Sequence, residues 1–135
     1  MPAGTTESRK RMAQWRDDIR HEAETAMAEW PPSHGPIRLW AEFALKPPAS
    51  MPKRLHGWKP HTSKPDIDKL LRALCDALTG IAWVDDSQVC VCAVNKGYAW
   101  DGRTGVVVSV EPITDDAARA FATASQHLRA FVTED

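Results

Sequence analysis

Three aspartates in the middle of the chain have the residue type and spacing of a metal-binding site. Asp66 and Asp68 are separated by one residue, and Asp86 follows further along the chain, directly after Asp85. Clustered carboxylates repel one another unless a positive charge lies between them, and a hard cation such as Mg²⁺ is the usual solution. Beside a phosphate, such an ion activates water for hydrolysis. The residues therefore suggest metal-dependent phosphodiester chemistry, provided that the fold brings them together.

A basic, proline-rich segment precedes these aspartates. Residues 46–65 contain five prolines and no acidic residue, which predicts a loop because proline fixes φ and removes a backbone donor. Positive side chains near an acidic site attract a phosphate backbone. The side chains that we expect to bind DNA are Lys53, Arg54, Lys59, Lys64, Lys69, Lys96 and Arg103. Trp58, inside the loop, fits either stacking on an exposed base or packing on the domain.

Each of these residues also has an ordinary structural interpretation. Asp66 could be the N-cap of a helix, Asp68 a first-turn acid, and Asp85 with Asp86 a simple turn pair. Arg72 could pair with a nearby helix acid, and the basic loop could be a solvated linker. From the residue types alone, these interpretations stay open.

Two helices and a strand are predicted around the aspartates. Residues 5–29 repeat apolar side chains at helical spacing, and residues 37–45 alternate as in a strand. Residues 67–79 form a strong helix in which Ile67, Leu71, Leu74 and Leu78 define one buried stripe. Gly80 is suited to its C-terminal cap.

The second half of the chain predicts two further strands and a last helix. Residues 88–95 are apolar on both faces, which indicates a central strand containing buried Cys90 and Cys92. Asp101-Gly102 marks a turn to a partner strand at 105–110, so the two strands are predicted to form a hairpin. Residues 114–131 have the apolar spacing of a helix. The expected fold class is α+β, a small mixed sheet with packed helices.

Composition limits the domain organisation. The 135 residues suit a single domain, 1–135, and a net charge of -1 gives no overall sign of a nucleic-acid partner. The sequence has no apolar run of about 18 residues and no apolar signal core, and its three cysteines form no C-x-x-C pair, so we expect a cytoplasmic protein with reduced thiols. His56 and His61 lack neighbouring cysteines, which argues against a zinc site.

Three motifs in fixed order resemble those of a known family. They are Lys64-Pro65-Asp66-Ile67-Asp68-Lys69-Leu70, then Asp76-Ala77-Leu78-Thr79-Gly80, then Asp85-Asp86-Ser87-Gln88-Val89, with a lysine–tyrosine strand and a glycine–valine return after them. Together they resemble the RusA family of Holliday junction resolvases over roughly residues 37–112. The combined pattern is far more specific than a lone D-x-D.

The resemblance implies a homodimeric, Mg²⁺-dependent endonuclease that cuts four-way DNA junctions by symmetric paired nicks, in DNA recombination and repair. It implies that Asp66, Asp68 and Asp86 bind the metal, with Asp85 a weaker candidate. The family lysine four residues after the second aspartate is Arg72 here, which keeps the charge needed to stabilise phosphate but stays protonated. The asparagine after D-x-D is Lys69. Family members usually begin with a strand and a proline- and arginine-rich segment before the first helix, whereas this sequence starts almost directly at that helix.

Other functions are compatible with parts of the pattern. A branched-DNA-binding module with weak or lost cleavage would explain Arg72 and the short N-terminus, whereas the retained aspartates favour an active nuclease. A phosphatase of the haloacid dehalogenase type would place its D-x-D after an apolar strand, but here the motif follows the basic loop. A purely structural protein would not explain acids beside that loop.

Overall fold

The computed structural model of the protein describes residues 6–56, 59–100, 103–116 and 119. Its main elements, in chain order, are helix α1 (Thr6–Ala26), strand β1 (Ile37–Leu45), helix α2 (Ile67–Leu78), strand β2 (Val89–Tyr98) and strand β3 (Gly105–Pro112). Single 3-10 turns lie at Lys53–Leu55 and Asp86–Gln88. The small α+β fold with a mixed sheet is confirmed.

The three strands lie in the order β2-β1-β3. β1 pairs with β2 in parallel and with β3 in antiparallel orientation. The predicted hairpin between β2 and β3 is therefore wrong, because β1 separates them. The prediction of β2 as a central strand is also wrong: within the described residues β2 is an edge strand. Its apolar composition on both faces indicated burial that the single chain does not supply.

The core lies between the helices and one face of β1. Ile37, Leu39, Ala41 and Phe43 are buried, whereas the residues between them are exposed. This alternation follows from the two-residue period of a strand with one covered face. The ring of Trp15 in α1 packs 5.7 Å from that of Phe43, measured between centroids. α1 thus covers the sheet beside α2, as its apolar spacing predicts.

α2 begins at the predicted residue and ends one residue before the predicted end, but its buried stripe is rotated. The residues of α2 that are buried are Leu70, Ala73, Leu74, Ala77 and Leu78. Ile67 is 37% exposed and Leu71 is half-buried, so the predicted stripe is wrong at these two positions. Gly80 has a φ of 86°, the left-handed conformation that its predicted capping role requires.

The cysteines and the last helix complete the comparison. Cys90 and Cys92 are exposed, which corrects their predicted burial and follows from the edge position of β2. The predicted helix at 114–131 and the predicted turn at 101–102 lie almost entirely outside the described residues, as does Trp58. Among the described helices, none is long and apolar enough to span a membrane.

Candidate functional site

The first two aspartates lie where the basic loop enters α2. Asp66 occupies the N-cap position, but its side chain makes no capping hydrogen bond, so the simple capping interpretation does not account for it. Asp68 lies in the first helical turn, and both residues are exposed. Two successive residues span at most about 7 Å, so both carboxylates lie at the same end of α2. They remain accessible to a cation.

Lys96 in β2 holds the loop that carries these aspartates. Its Nζ donates to the backbone oxygens of Ser63 at 2.7 Å and Pro65 at 2.8 Å. The backbone reinforces this contact, since the N–H of His61 donates to the oxygen of Lys96. The ammonium predicted to contact DNA is therefore engaged with the loop, where it fixes the approach of the chain to Asp66.

Asp86 is held by a different set of contacts. Its Oδ1 accepts from Thr79 Oγ1 at 2.5 Å and from Trp83 Nε1 at 2.9 Å. Trp83 is fully buried, so its indole N–H is a rigid donor. The preceding residue, Asp85, is occupied differently: its side chain caps the turn by accepting from the N–H of Ser87 at 2.9 Å. This hydrogen bond lowers the pKa of Asp85.

The two groups of carboxylates lie at opposite ends of α2. Asp86 contacts Thr79, which is the C-cap, whereas Asp66 is the N-cap. A rise of about 1.5 Å per residue puts Thr79 about 16 Å along the helix axis from Asp68. One cation cannot bridge that distance, because Mg²⁺ binds oxygen at about 2.1 Å. Consistently, the described residues contain no group of three side chains arranged to hold a metal.

The parallel pairing of β1 and β2 explains this separation. A helix that connects parallel strands starts at their carboxyl ends and finishes at their amino ends. Asp66 and Asp68 precede the crossover helix, and Asp86 precedes β2. In one chain the structure thus brings Asp66 and Asp68 together and leaves Asp86 apart.

A cleft lined by α1, α2 and β3 lies beside Asp66. Basic side chains outnumber acidic ones in its lining, and those that the sequence predicted are Lys64, Lys69 and Arg72. Arg72 is exposed, and within the described residues no ion pair joins it to Asp68; the neighbouring Asp76 pairs with Arg16 instead, at 3.9 Å. The cleft offers phosphate-binding groups next to the accessible carboxylates.

The remaining residues predicted to bind DNA lie on the loop after β1 and between β2 and β3. Lys53, Arg54 and Lys59 are exposed on the loop after β1. Arg103 is exposed and lines a separate hollow with Lys96, at the ends of β2 and β3. Lys96 and Arg103 therefore place positive charge near the carboxyl end of β2, whereas Asp86 precedes the amino end of that strand.

Cys75 in α2 and His61 in the loop before α2 have shifted pKa values. Burial raises the pKa of Cys75 to about 12, and the nearby charges of Asp86 and Asp76 contribute in the same direction. Burial and the charge of Lys96 lower the pKa of His61. His61 packs against Tyr98 with ring centroids 4.9 Å apart, and its Nδ1 is buried without a hydrogen-bond partner. These contacts give no support to a zinc site.

Sequence reasoning missed several residues of the site. Thr79 and Trp83 hold Asp86; Thr79 lies in the second motif, and Trp83 lies between the second and third motifs. Arg9 and Arg16 line the basic cleft from α1. Their seven-residue spacing places them on one face of the helix, a signal available in the sequence.

Comparison with known proteins identifies the family of the chain. Residues 3–111 match the family described as Endodeoxyribonuclease RusA. A search of the curated proteins found no match to this chain. The match covers most of the chain, including α1, both groups of carboxylates and the whole sheet. The protein therefore belongs to the RusA endodeoxyribonuclease family, whose general activity is Holliday junction resolution.

Proposed function

We propose that the protein is a Mg²⁺-dependent endonuclease that resolves four-way DNA junctions as a homodimer, by paired symmetric nicks. The observation that carries this proposal is the pair of uncapped, exposed carboxylates, Asp66 and Asp68, beside a basic cleft in a chain of the RusA family. Paired nicks require two active sites, and a two-fold dimer matches the two-fold symmetry of the junction.

The donor set at the start of α2 suits Mg²⁺. Its oxygen ligands are carboxylates, they are exposed, and no capping hydrogen bond occupies the side chain of Asp66. The ion, when bound, activates water and stabilises charge on the phosphate. Asp66 and Asp68 would hold it, and Asp86, which lies too far away within one chain, is proposed as the third ligand only from the second chain of the homodimer.

Other side chains bind and orient the DNA. Arg72 lies about one helical turn after Asp68 and about two turns after Asp66. Its guanidinium group is proposed to donate two parallel hydrogen bonds to a phosphate and so to stabilise the negative charge of that phosphate. Lys53, Arg54, Lys59, Lys64, Lys69 and Arg103 are proposed to neutralise the backbone. Lys96 fixes the loop that carries Lys64 and Asp66, and it is proposed to act on the DNA through that loop.

A second candidate function is branched-DNA binding with weak or lost cleavage. The distance between Asp86 and the other two carboxylates within one chain favours it. Arg72, in the place of the family lysine, points the same way.

Cleavage of a synthetic four-way junction, compared with a linear duplex of the same arms, distinguishes the two functions. The assay uses Mg²⁺ or EDTA with the wild type, Asp68→Asn and the matched surface variant Asp17→Asn. We expect paired nicks on the junction only, dependent on Mg²⁺, lost in Asp68→Asn and kept in Asp17→Asn. Tight binding of the junction without nicks in Mg²⁺ would support the binding module instead.

A further inference from the structure

The cleft lined by α1, α2 and β3 has an apolar floor that the described elements cover only in part. Val106, Val108 and Val110 of β3 pair with inward-facing residues of β1, so they lie on the face of the sheet that carries the helices. All three line the cleft and are half-buried. Because apolar surface is stabilised by removal from water, a contiguous uncovered strip of this kind marks a site where another element packs.

The side of the cleft formed by α1 is covered just as incompletely. The described residues of α1 are half-buried or exposed, and none is buried, whereas α2 buries five residues. The apolar side chains of α1 that line the cleft beside the core include Met12, Trp15, Ile19 and Ala23. These residues and the three valines of β3 together form the α1–β3 groove. A groove of this composition fits the apolar face of an amphipathic helix.

The chain itself leads into one end of this groove. β3 ends at Pro112, and the N–H of Ile113 donates to the oxygen of Pro36 at 2.9 Å, directly before β1 begins. Of residues 115–119, those that the structure describes are helical. A helix that starts here and turns back along β3 runs through the groove from the amino end of β1 towards its carboxyl end.

The sequence of the following segment has the apolar spacing that the groove requires. Apolar residues follow one another at four- and three-residue steps, which places them on one side of a helix: Ala117, Phe121, Ala124, Leu128 and Phe131. A helix over 115–131 is about 24 Å long, and β3 is about 23 Å long between its first and last residues. The apolar side of the segment therefore extends along the whole of β3.

The charges are complementary where such a helix leaves the groove. Glu134 and Asp135 follow the apolar side of the segment and come level with the start of β3. The cleft is basic at this end: Lys46 directly follows β1, and Lys64 lies just before α2, beside Asp66. Exposed ion pairs contribute little to stability. The apolar contacts therefore provide the binding, and the charges favour one direction of the helix.

We propose that residues 117–135 dock in the α1–β3 groove as a helix that runs opposite to β3, with Glu134 and Asp135 against Lys46 and Lys64. The docked segment is autoinhibitory, because its two acids occupy cationic groups that a phosphate backbone requires. DNA must displace these acids to reach Lys64. The docking goes beyond the proposed function, and only its effect on DNA rests on that function.

Cross-linking in the full chain tests the docking. Val108→Cys and Ala124→Cys are combined in a Cys90→Ser, Cys92→Ser background and treated with a short bis-maleimide. Cys75 stays largely unreactive, since its pKa is raised to about 12. The matched control replaces Val108→Cys with Val107→Cys, on the other face of the sheet and 62% exposed.

The expected product is a cross-link within one chain. The Val108→Cys protein should give a band of monomer size that contains a peptide joining positions 108 and 124, and the Val107→Cys control should not. Equal cross-linking of the two proteins would overturn the docking. Cross-links found only between chains would assign the groove to a second copy and would also overturn the proposal.

Amide hydrogen exchange supplies a second measurement that needs no cysteine variant. Docking protects the amides of residues 120–131, and Leu128→Asp, on the apolar side, should speed their exchange on the order of 10-fold. Gln126→Asp lies on the opposite side of the same helix and should leave the exchange unchanged. Equal exchange in the wild type and in Leu128→Asp would contradict the docking.

Junction binding in EDTA tests the acidic contact. Glu134→Gln combined with Asp135→Asn should tighten binding of a four-way junction on the order of 5-fold, because it frees the two lysines. Asp115→Asn combined with Asp116→Asn changes the net charge equally at the other end of the groove and should change binding much less. Equal tightening by both pairs would overturn the contact. A wild type that neither binds nor cuts DNA would contradict the proposed function and leave the cross-linking result intact.

Discussion

The two ends of α2 carry acidic residues in opposite states. At its start, Asp66 and Asp68 are exposed, and the side chain of Asp66 makes no capping bond. At its end, Asp86 is fixed by Thr79 and buried Trp83 on a turn capped by Asp85. The first end leaves its carboxylates accessible, and the second holds one carboxylate in a set direction. The contrast shows that similar aspartates in a motif do not share one structural role.

The largest effect on junction cleavage should come from removing a carboxylate at the start of α2. We expect Asp66→Asn to lower junction cleavage on the order of 1000-fold, because it removes a metal ligand. Asp76→Asn is the matched control, since Asp76 lies on α2 and pairs with Arg16. Single-turnover cleavage in Mg²⁺ measures both. An equal loss of cleavage in Asp76→Asn would mean that the negative charge of α2, and not metal coordination by Asp66, determines the cleavage rate.

The next largest effect should come from removing a hydrogen bond that fixes the side chain of Asp86. Thr79→Val removes the hydroxyl that donates to Asp86, and we expect metal affinity to fall on the order of 10-fold, as for other outer-shell partners. Thr79→Ser keeps the hydroxyl and should retain the affinity. The readout is the Mn²⁺ concentration at half-maximal binding, measured also in an Asp86→Asn background. An additive loss in that background would show that Thr79 acts independently of Asp86.

Lys96 and Lys53 should differ in role: Lys96 should stabilise the fold, and Lys53 should bind DNA. Lys96→Met removes two hydrogen bonds to the loop, and we expect it to reduce the free energy of unfolding by about 1–3 kcal/mol. Lys53→Met should leave stability unchanged but reduce the salt dependence of DNA binding by about one phosphate contact. Urea unfolding and junction binding at several salt concentrations measure the two effects. The same pattern for both lysines would contradict the assigned anchoring role of Lys96.

The smallest effect concerns pH. The pKa of His61 is lowered in the folded protein, so below about pH 6.5 the unfolded chain binds more protons than the folded one. Stability should therefore be complete above that pH and fall as the pH drops further. His61→Gln should flatten this slope in thermal unfolding, whereas a change at exposed His34 should not. An unchanged slope in His61→Gln would assign the pH dependence to other groups.

The sequence predicted the local structure well because local rules govern it. Asp66, Gly80 and the leucine spacing place both ends of α2, and alternation defines β1. Strand order was not predictable in the same way. Asp101-Gly102 favours a hairpin by local turn chemistry, but β3 pairs instead with β1 through contacts that are distant in sequence.

The motifs predict Asp66, Asp68 and Asp86 as metal ligands, and their role stays a prediction. The structure shows where these residues lie, and that geometry was not predictable from the sequence. The distance between these carboxylates depends on the parallel pairing of β1 and β2, with α2 as the connecting helix. The spacing of residues in the sequence does not reveal that pairing. The apolar character of β2 and Ile67 predicted a covered surface, but Ile67, Cys90 and Cys92 are exposed in the chain.

The central position of β1 also has a consequence for how the chain folds. β1 pairs with β2 and β3, both of which follow it only after α2 has been synthesised. Every pairing among the three described strands is therefore non-local, and loop-closure entropy must be overcome before their ladder hydrogen bonds form. We expect the chain to fold slowly for its length.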